Sequence, residues 1–348
     1  MRNIVFRAGV VLLLGGLPLQ MALASPQAPA NEAGAPGSAA AKAVAEGQAL
    51  LAKRSPEDIR AALRQFERAT AADANYAPAY AGLAEARALV FEYPGAREAA
   101  LRAVELDDGQ ATAHAVLGFV KLHADWDWAG AEAELKRALE LDPRNPTTHL
   151  WSAIVLEATG RTDEAVAAAR RAVVLAPGQA QVRAGLGYRL YWARRYDEAV
   201  AELTASLEQD PESSTAHYFI GRARVQQGRF DEARTAFARA REVSSEDANL
   251  KSATAYLEAR AGRREASEKI LLELQRLSLR GLPFSSQVAG IRAALGDKDA
   301  ALGWLEQAHS GHEAALVWIK VDPRFDSLRG EPRFVEILQR MGLAPAAP

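Results

Sequence analysis

The residues that come closest to metal-ligand spacing form a short acidic run, Asp125-Trp126-Asp127-Trp128-Ala129-Gly130. Carboxylates at alternate positions before a glycine begin a calcium-binding loop, which also needs further oxygen ligands and a final bidentate glutamate. Ala129 stands where an oxygen ligand is required, and Lys136 stands where the glutamate belongs. We therefore expect no metal here, and we expect Asp127 to cap the start of a helix.

Histidines offer no better site for a metal or for catalysis. Three of them recur at equivalent positions of repeated segments, where a large packing side chain is usual: His114, His149 and His217. We interpret these three as packing residues rather than ligands. His309 and His312 stand three residues apart with only Glu313 as a nearby carboxylate, so we expect both at the surface.

The sequence contains none of the common catalytic motifs that we looked for. The sequence contains no cysteine, which excludes disulfides, thiolate ligands, a thiol nucleophile and a lipidated cysteine. It also lacks a Gly-x-x-x-x-Gly-Lys phosphate loop, a His-Glu-x-x-His zinc motif and a Gly-x-Ser-x-Gly nucleophile turn. The sequence therefore predicts a protein that is not an enzyme, with no catalytic residues, no metal and no cofactor.

Composition and charge narrow the class of partner. Hydrophobic residues make up 49% of the 348 residues and charged residues 25%, as in a folded globular protein. The formal charge is −2, and it becomes −4 without residues 1–24, because 40 basic residues then face 44 acidic ones. Such a balance gives no basic footprint for nucleic acid.

The amino terminus has the pattern of a secretion signal. Arg2 and Arg7 supply the positive start, residues 8–19 are largely apolar, and Ala22-Leu23-Ala24 is a small-x-small cleavage site. The alternative is an uncleaved membrane anchor, which would need about 20 apolar residues. We expect residues 1–24 to be a signal peptide, so the mature protein would be periplasmic or secreted, with no stable membrane insertion.

Residues 25–42 are expected to form a flexible leader. Most of this stretch is Ala, Pro, Gly, Ser, Asn and Gln, with Glu32 as its single acidic residue. Such a composition buries little apolar area. We therefore expect folded structure to begin near Ala43.

A repeat runs through the rest of the chain. The ends of successive alanine-rich segments are spaced by 34, 35, 34, 34, 34, 34 and 34 residues. A small residue lies seven positions before each end. From the second repeat on, another small residue lies twelve positions before that, or thirteen in the third repeat. The segment ends are Ala69, Ala103, Ala138, Ala172, Ser206, Ala240, Leu274 and Ala308.

Small residues at fixed spacing indicate two helices that cross closely, because only Gly, Ala or Ser lets the ridges of one helix enter the grooves of the other. A 34-residue period of this kind is the tetratricopeptide (TPR) repeat. We predict an all-α protein, a right-handed TPR superhelix (α-solenoid) of about eight helix-turn-helix repeats over residues 43–311. Residues 312–348 would be a cap and tail, with a capping helix marked by the apolar stripe Phe334, Ile337, Leu338 and Met341.

The carboxy terminus carries a more specific resemblance. The runs Val321-Asp322-Pro323-Arg324-Phe325-Asp326-Ser327-Leu328-Arg329 and Glu331-Pro332-Arg333-Phe334 resemble the end of TPR sensory domains in bacterial winged-helix regulators, adenylate cyclases and Ser/Thr kinases. Ser327 stands where that ending usually has proline. Those regulators carry an effector domain before the repeats, whereas here only the leader precedes them. The resemblance therefore implies a sensing or interaction module without its effector domain.

TPR geometry implies a concave groove lined by the first helix of each repeat. The positions that would face it are rich in aromatic residues and arginine, which give large contact areas and suit capture of a peptide. The alternative is that the rings only fill space between helices. The candidate groove residues are Phe119, Tyr188, Tyr191, Trp192, Tyr218, Arg222, Tyr256 and Arg260.

Two functions remain open at this stage. The first is an exported scaffold that binds a protein or peptide partner through the groove. The second is a ligand-sensing module that binds a small molecule and signals to a separate protein. A hydrolytic enzyme is the least favoured class, because no activated nucleophile or metal site was found.

Overall fold

The computed structural model describes residues 38–53, 56–244 and 248–343. The predicted signal peptide, residues 1–24, lies outside the described residues, as does the leader up to residue 37. The first helix begins at Ala39 rather than near Ala43. Ala39, Ala40 and Ala41 have the highest helix propensity of any residue type, and the Ser38 hydroxyl accepts a hydrogen bond from the Ala41 amide (3.1 Å), which explains the earlier start.

In the described part of the chain, sixteen α-helices form eight consecutive pairs, one for each predicted repeat. The pairs are α1 (Ala39–Lys53) with α2 (Pro56–Ala72), α3 (Ala77–Leu89) with α4 (Tyr93–Leu106), α5 (Ala111–Val120) with α6 (Trp128–Leu141), α7 (Pro146–Ala158) with α8 (Thr162–Leu175), α9 (Ala180–Trp192) with α10 (Tyr196–Leu207), α11 (Ser214–Gln226) with α12 (Phe230–Val243), α13 (Ala248–Arg260) with α14 (Arg264–Ser278), and α15 (Ser285–Ala294) with α16 (Lys298–Ser310).

The chain divides into two compact units. Among the described residues, the N-terminal unit takes in residues up to 155 and 167–182, and the C-terminal unit takes in residues 156–166 and those from 183 to 343. In the N-terminal unit, α3 packs on its partner α4 and also on the first helices α1 and α5. In the C-terminal unit, α13 packs in the same way on α14, α11 and α15. Within each unit, first helices therefore stack on first helices, and the predicted all-helical repeat fold is confirmed.

Every small residue of the three sequence registers is buried. Gly118 shows why size matters, since a β-carbon there would lie 3.0 Å from the Ala131 carbonyl oxygen and 2.6 Å from the Leu135 Cγ. Where the small residue is polar, its hydrogen bond is satisfied: the buried Ser267 hydroxyl donates to the Ala255 carbonyl at 2.8 Å. The close helix crossing thus selects for small side chains at these positions.

A residue with positive φ ends the first helix of most pairs and recurs every 34 residues. Four members of the series are Gly160, Gly228, Gly262 and Gly296, with φ between 73° and 89°. Phe91 (φ 59°), Trp126 (φ 55°) and Arg194 (φ 64°) belong to the same series without being glycine, and Phe91 precedes Trp126 by 35 residues. A side chain in this conformation costs about 1–2 kcal/mol relative to glycine. Trp126 follows a single π-helical turn, Lys121–Asp125, at the end of α5.

After α16 the chain leaves the repeat pattern. Two short 3-10 helices, Ala314–Trp318 and Pro323–Leu328, precede α17 (Pro332–Arg340), which packs on α16. On α17, Phe334 and Ile337 of the predicted capping stripe are buried, and Met341 directly after the helix is buried as well. In the described part of the chain, no helix combines the length and apolar character needed to cross a bilayer.

Gly118→Ala should destabilise the protein by roughly 1–3 kcal/mol, because the added methyl group meets the backbone of α6. This occurs although alanine favours the helix more than glycine does. Gly178→Ala is the matched control, since a β-carbon at Gly178 has nothing within 4 Å. Urea denaturation followed by circular dichroism measures both; an equal midpoint for the two variants would contradict the close-crossing explanation.

Candidate functional site

The 34-residue period aligns most of the predicted groove residues on three neighbouring first helices of the C-terminal unit. Tyr188 on α9, Arg222 on α11 and Tyr256 on α13 are each 34 residues apart, so they occupy equivalent positions in successive repeats. The remaining members of the set in this unit lie one turn away on the same helices: Tyr191, Trp192, Tyr218 and Arg260.

Phe119 is the one predicted groove residue in the N-terminal unit. Its ring lies 4.4 Å from the His123 ring and 4.8 Å from the Trp151 ring, centre to centre. All three rings are buried. They form an aromatic contact between the first helices α5 and α7 together with the π-helical turn that carries His123. Burial alone lowers the pKa of His123 to about 3, so this imidazole is neutral.

The three rings on α9 are buried within the C-terminal unit. Tyr188 stacks on Phe219 of α11 at 4.3 Å, and Tyr191 meets the same ring edge-on at 5.6 Å. Tyr188, Tyr191 and Trp192 are each at most 3% exposed. Tyr218 is half-buried and Arg260 is exposed, so the set grades from a packed interior at α9 to an accessible edge at α13.

Arg222 lies at the centre of this face. Its guanidinium carbon is 4.6 Å from the centre of the Tyr191 ring and 4.8 Å from that of Trp192, with Tyr218 and Phe219 within 5.6 Å. A guanidinium over aromatic faces is attracted by their quadrupoles, and the attraction is stronger when water is excluded. Four rings therefore help to hold one buried positive charge.

The segment that follows α16 lies over this face. Trp318 stacks on Trp192, with ring centres 5.8 Å apart and planes 7° from parallel. The Trp318 Nε1 donates to the Glu157 Oε2 at 3.1 Å, and the Lys320 Nζ donates to the Thr159 carbonyl at 2.9 Å. Residues 161 positions apart in sequence are thus joined by side-chain contacts.

Two aspartates complete the contact. Asp322 is buried, with its Oδ1 3.7 Å from the Arg222 Nη2 and its Oδ2 2.7 Å from the Arg324 Nη2. Burial would raise the pKa of Asp322, but the two arginines lower it below its usual range, so the carboxylate is charged. Asp326 forms a bidentate pair with Arg194 at 2.5 and 2.6 Å.

Glu157 forms a fully buried ion pair with Arg189, whose Nε lies 2.5 Å from the Glu157 Oε1. Both side chains are at most 1% exposed. Burial raises the pKa of Glu157 to about 7, although Arg189 and the Trp318 indole both favour the charged form. Loss of water around the carboxylate therefore outweighs its two partners, and Glu157 titrates near neutral pH.

The space left between the rings is small. Tyr191, Tyr218, Arg222, Tyr256 and Arg324 line a cavity of about 10 Å³, which holds at most one water molecule. At its outer edge the Arg260 Nη1 donates to the Tyr256 hydroxyl at 3.0 Å. The accessible part of the face is therefore this outer edge rather than an internal pocket.

Sequence reasoning assigned no part in this contact to six residues that join the terminal segment to the helices: Arg189, Arg194, Trp318, Lys320, Asp322 and Asp326. The available signal was the end of the 34-residue pattern after α16, where a charged run replaces the next alanine-rich helix. A second signal was Arg194, which stands in a series that otherwise favours glycine.

The candidates for metal binding have structural roles. Asp127 caps α6 as expected, accepting a hydrogen bond from the Gly130 amide at 2.9 Å. His114 is buried against Glu134 at 2.8 Å, while the ring nitrogens of His149 and His217 lie 2.9 and 3.3 Å from proline carbonyls in the preceding turns. No group of three or more potential ligands that could hold a metal ion occurs among the described residues.

Paired helices with aligned first-helix surfaces define an α-helical repeat protein. Two family models, both described as tetratricopeptide repeat, match residues 127–180 and 191–257. These residues are therefore tetratricopeptide repeats, and the helix pairs on either side of them have the same arrangement. Proteins of this kind bind protein or peptide partners and are generally not catalytic.

Solved structures agree on the fold. Human IFIT1, as a dimer with PPP-AAAA, is similar over 77% of this chain and 72% of its own, with a TM-score of 0.58 and 16% identity. PilW, described as a type IV pilus biogenesis factor, covers 61% of this chain and 96% of its own, with a TM-score of 0.50 and 17% identity. The Cut9–Hcn1 complex is similar over 62% of this chain and 42% of that chain, with a TM-score of 0.53 and 20% identity. No curated protein gave a significant match.

The raised pKa of Glu157 predicts a pH-dependent stability. A glutamate with the ordinary value of 4.5 loses its proton earlier in the unfolded chain than in the folded protein. Between pH 4.5 and 7 the folded state therefore binds one more proton, and the contribution of this group to the free energy of unfolding falls as the pH rises, levelling off above 7. We expect the stability difference between wild type and Glu157→Gln to fall by roughly 1–3 kcal/mol over this range.

Chemical denaturation of both proteins at several pH values between 5 and 8 measures this difference. Glutamine keeps an acceptor for Trp318 but does not titrate, so the comparison cancels the contributions of the other acidic groups. A difference that is constant with pH would show that Arg189 keeps Glu157 charged throughout.

Proposed function

We propose that this protein is an exported scaffold that binds a peptide segment of a partner protein through the aromatic and arginine face of its C-terminal unit. The face consists of Tyr188, Tyr191, Trp192, Tyr218, Arg222, Tyr256 and Arg260. Phe119 would serve the corresponding face of the N-terminal unit.

The observation that carries the proposal is that this face already holds a peptide segment of the chain itself. Ring stacking on Trp192, a hydrogen bond from an indole and pairing of aspartates with arginines fasten that segment. Aromatic and arginine side chains are also the residues that dominate affinity in protein interfaces. The face therefore has the chemistry for peptide recognition.

Binding of a small molecule at this face has less support. The cavity among the described rings holds about one water molecule, far below the volume of roughly 300 Å³ or more that ligand pockets usually have. The chain segment that lies across the same face favours a peptide as the ligand. We therefore place the scaffold before the sensor.

Export is proposed from the first 24 residues alone. Their positive start, apolar stretch and small-x-small site are typical of a signal peptide. The corresponding location is the periplasm or the cell exterior. This part of the proposal is independent of the binding face.

Site-specific photo-crosslinking in cells tests the binding face. Alanine substitution of Tyr188 or Tyr191 would remove buried rings, at a cost of roughly 3–5 kcal/mol, and would confuse binding with folding. A photoreactive residue at Tyr218 or Arg260, which line the accessible edge, avoids this problem. We expect a discrete protein adduct from both positions.

Leu272 and Leu279 on or just after α14 are matched control positions, because both are well exposed in the same unit but belong to a second helix of a pair. They should give no adduct of that size. Adducts that arise only from the control positions would move the binding site to the outer surface.

Fractionation tests export. We expect the protein in the periplasmic or extracellular fraction, with Ser25 as its first residue by intact mass. Removal of Arg2 and Arg7 by substitution with glutamate should leave precursor in the cytosol, because the positive start of a signal directs its insertion. Wild-type protein that stays in the cytosol with residues 1–24 attached would contradict the export proposal.

A further inference from the structure

Residues 314–329, here called the strap, interrupt the helical pattern between α16 and α17. The 34-residue period would place the next first helix near residue 319, because α15 begins at Ser285. Pro323 cannot donate the backbone hydrogen bond of a helix interior, and two short 3-10 helices form instead. The strap therefore lies across the first helices of the C-terminal unit.

The strap is tethered at both ends. Before it, the Glu313 carboxylate accepts hydrogen bonds from the amides of Ser285 and Ser286, at 2.8 and 2.9 Å, and so caps α15. After it, Lys298 pairs with Glu331 at 2.6 Å and Arg333 pairs with Glu306 at 2.9 Å, which hold α17 on α16. The residues on either side of the strap are thus held by contacts that do not involve the aromatic and arginine face.

Much of the strap's shape is held by its own hydrogen bonds. Arg329 donates to the carbonyls of Lys320 (2.5 Å) and Asp322 (3.2 Å), and Arg324 donates to the Asp322 carboxylate at 2.7 Å. These bonds remain if the strap moves. A peptide that is organised in this way before it binds loses less conformational entropy on binding.

Three contacts four residues apart fasten the strap to the face. Trp318 meets Trp192 and Glu157, Asp322 lies beside Arg222, and Asp326 pairs with Arg194. Arg194 is the informative member, because its backbone occupies the left-handed conformation that Gly160 and Gly228 adopt at the same position of other repeats. Glycine would suit the turn better, and the side chain that stands here instead makes the bidentate bond to Asp326.

We propose that the strap is the chain's own occupant of the peptide-binding face, and that a partner segment with the same chemistry replaces it. That chemistry is an indole followed, at intervals of four residues, by two carboxylates. This inference rests on the proposed function and adds the kind of peptide recognised. The strap's apolar side chains, among them Leu316, Ile319 and Phe325, are buried, so the partner segment must also bring apolar residues to fill the face.

Competition between the strap and the partner segment would regulate binding of the partner. A tethered segment has an effective concentration in the millimolar range, so a free segment of equal affinity binds weakly while the strap is in place. Any change that loosens the strap raises the apparent affinity for the partner segment. The strap therefore acts as an intramolecular competitor.

Exchange of a synthetic peptide tests the proposal. The probe is the sequence of residues 314–329 with a fluorescent label, added to the mature full-length protein, and binding is read by anisotropy. Asp326→Arg in the protein places a positive charge on the strap opposite the positive charge of Arg194. The repulsion should release the strap, and no residue of the face is changed. We expect the peptide to bind this variant at least tenfold tighter than wild type.

A charge reversal controls for specificity. A second peptide carrying Arg at the position of Asp326 should bind neither wild type nor Asp326→Arg, but should bind Arg194→Asp. Aspartate tolerates the left-handed conformation better than most residues. The double variant Arg194→Asp with Asp326→Arg should again bind both peptides weakly, because its strap is refastened.

Equal binding of the native peptide to wild type and Asp326→Arg, with both proteins helical and equally stable, would overturn the proposal. Sizing of Asp326→Arg provides another check, since a dimer would assign the face to the strap of a second copy and not to a partner. If Asp326→Arg does not fold, Arg194→Gly replaces it, because glycine suits the turn. Hydrogen exchange in residues 314–329 should then accelerate at least tenfold relative to α15, and unchanged exchange would refute a releasable strap.

The two proposals fail separately. If the peptide exchanges but Tyr218 and Arg260 give no photo-crosslinked adducts, the strap is movable and the proposed partner-binding function is wrong. Adducts without peptide exchange would keep the function and show that the partner binds beside a permanent strap.

Discussion

The close crossing of two helices at small residues is the constraint on which the rest of the structure depends. It places Gly118 against the Ala131 carbonyl in the third repeat, and a pair of small residues twelve positions apart recurs in the second repeat and in the fourth to eighth. Because the crossing fixes both helices of a pair, it also fixes which side of the first helix faces the neighbouring first helices. Residues 34 positions apart then fall into rows, and a row of rings and arginines becomes a continuous surface.

Buried charge distinguishes that surface from an ordinary repeat core. Glu157 with Arg189 and Asp322 with Arg222 are almost fully withdrawn from water. Buried ion pairs contribute little net stability compared with apolar packing, but an unmatched partner is strongly unfavourable. Such pairs consequently favour the one position of the strap in which each buried charge meets its partner. Their contribution is to the specificity of this position rather than to the strength of strap binding.

The period and the small residues were sufficient to predict the helix pairs, because both follow from local spacing. The terminal 3-10 helices were not predictable in the same way, since Trp318 and Asp326 acquire their positions from helices more than 130 residues away. The predicted groove residues of the C-terminal unit align on three first helices, but the sequence alone left open whether rings such as Tyr188 and Tyr191 line a groove or fill space between helices. Periodicity predicts which residues share one face of a helix. Their burial depends on which later segment of the chain packs over that face.

The single π-helical turn at Lys121–Asp125 accounts for the one spacing of 35 in a series of 34. In other repeats the amide after the left-handed residue reaches back five positions, as from Arg195 to the Leu190 carbonyl, whereas Asp127 reaches back six, to Lys121. The added residue is thus absorbed inside one helix end, and every later repeat keeps its phase. A repeat array of this kind can accept a one-residue insertion without a change in the packing of the later repeats. The insertion must fall where a helix can form a π-helical turn, which takes up one extra residue.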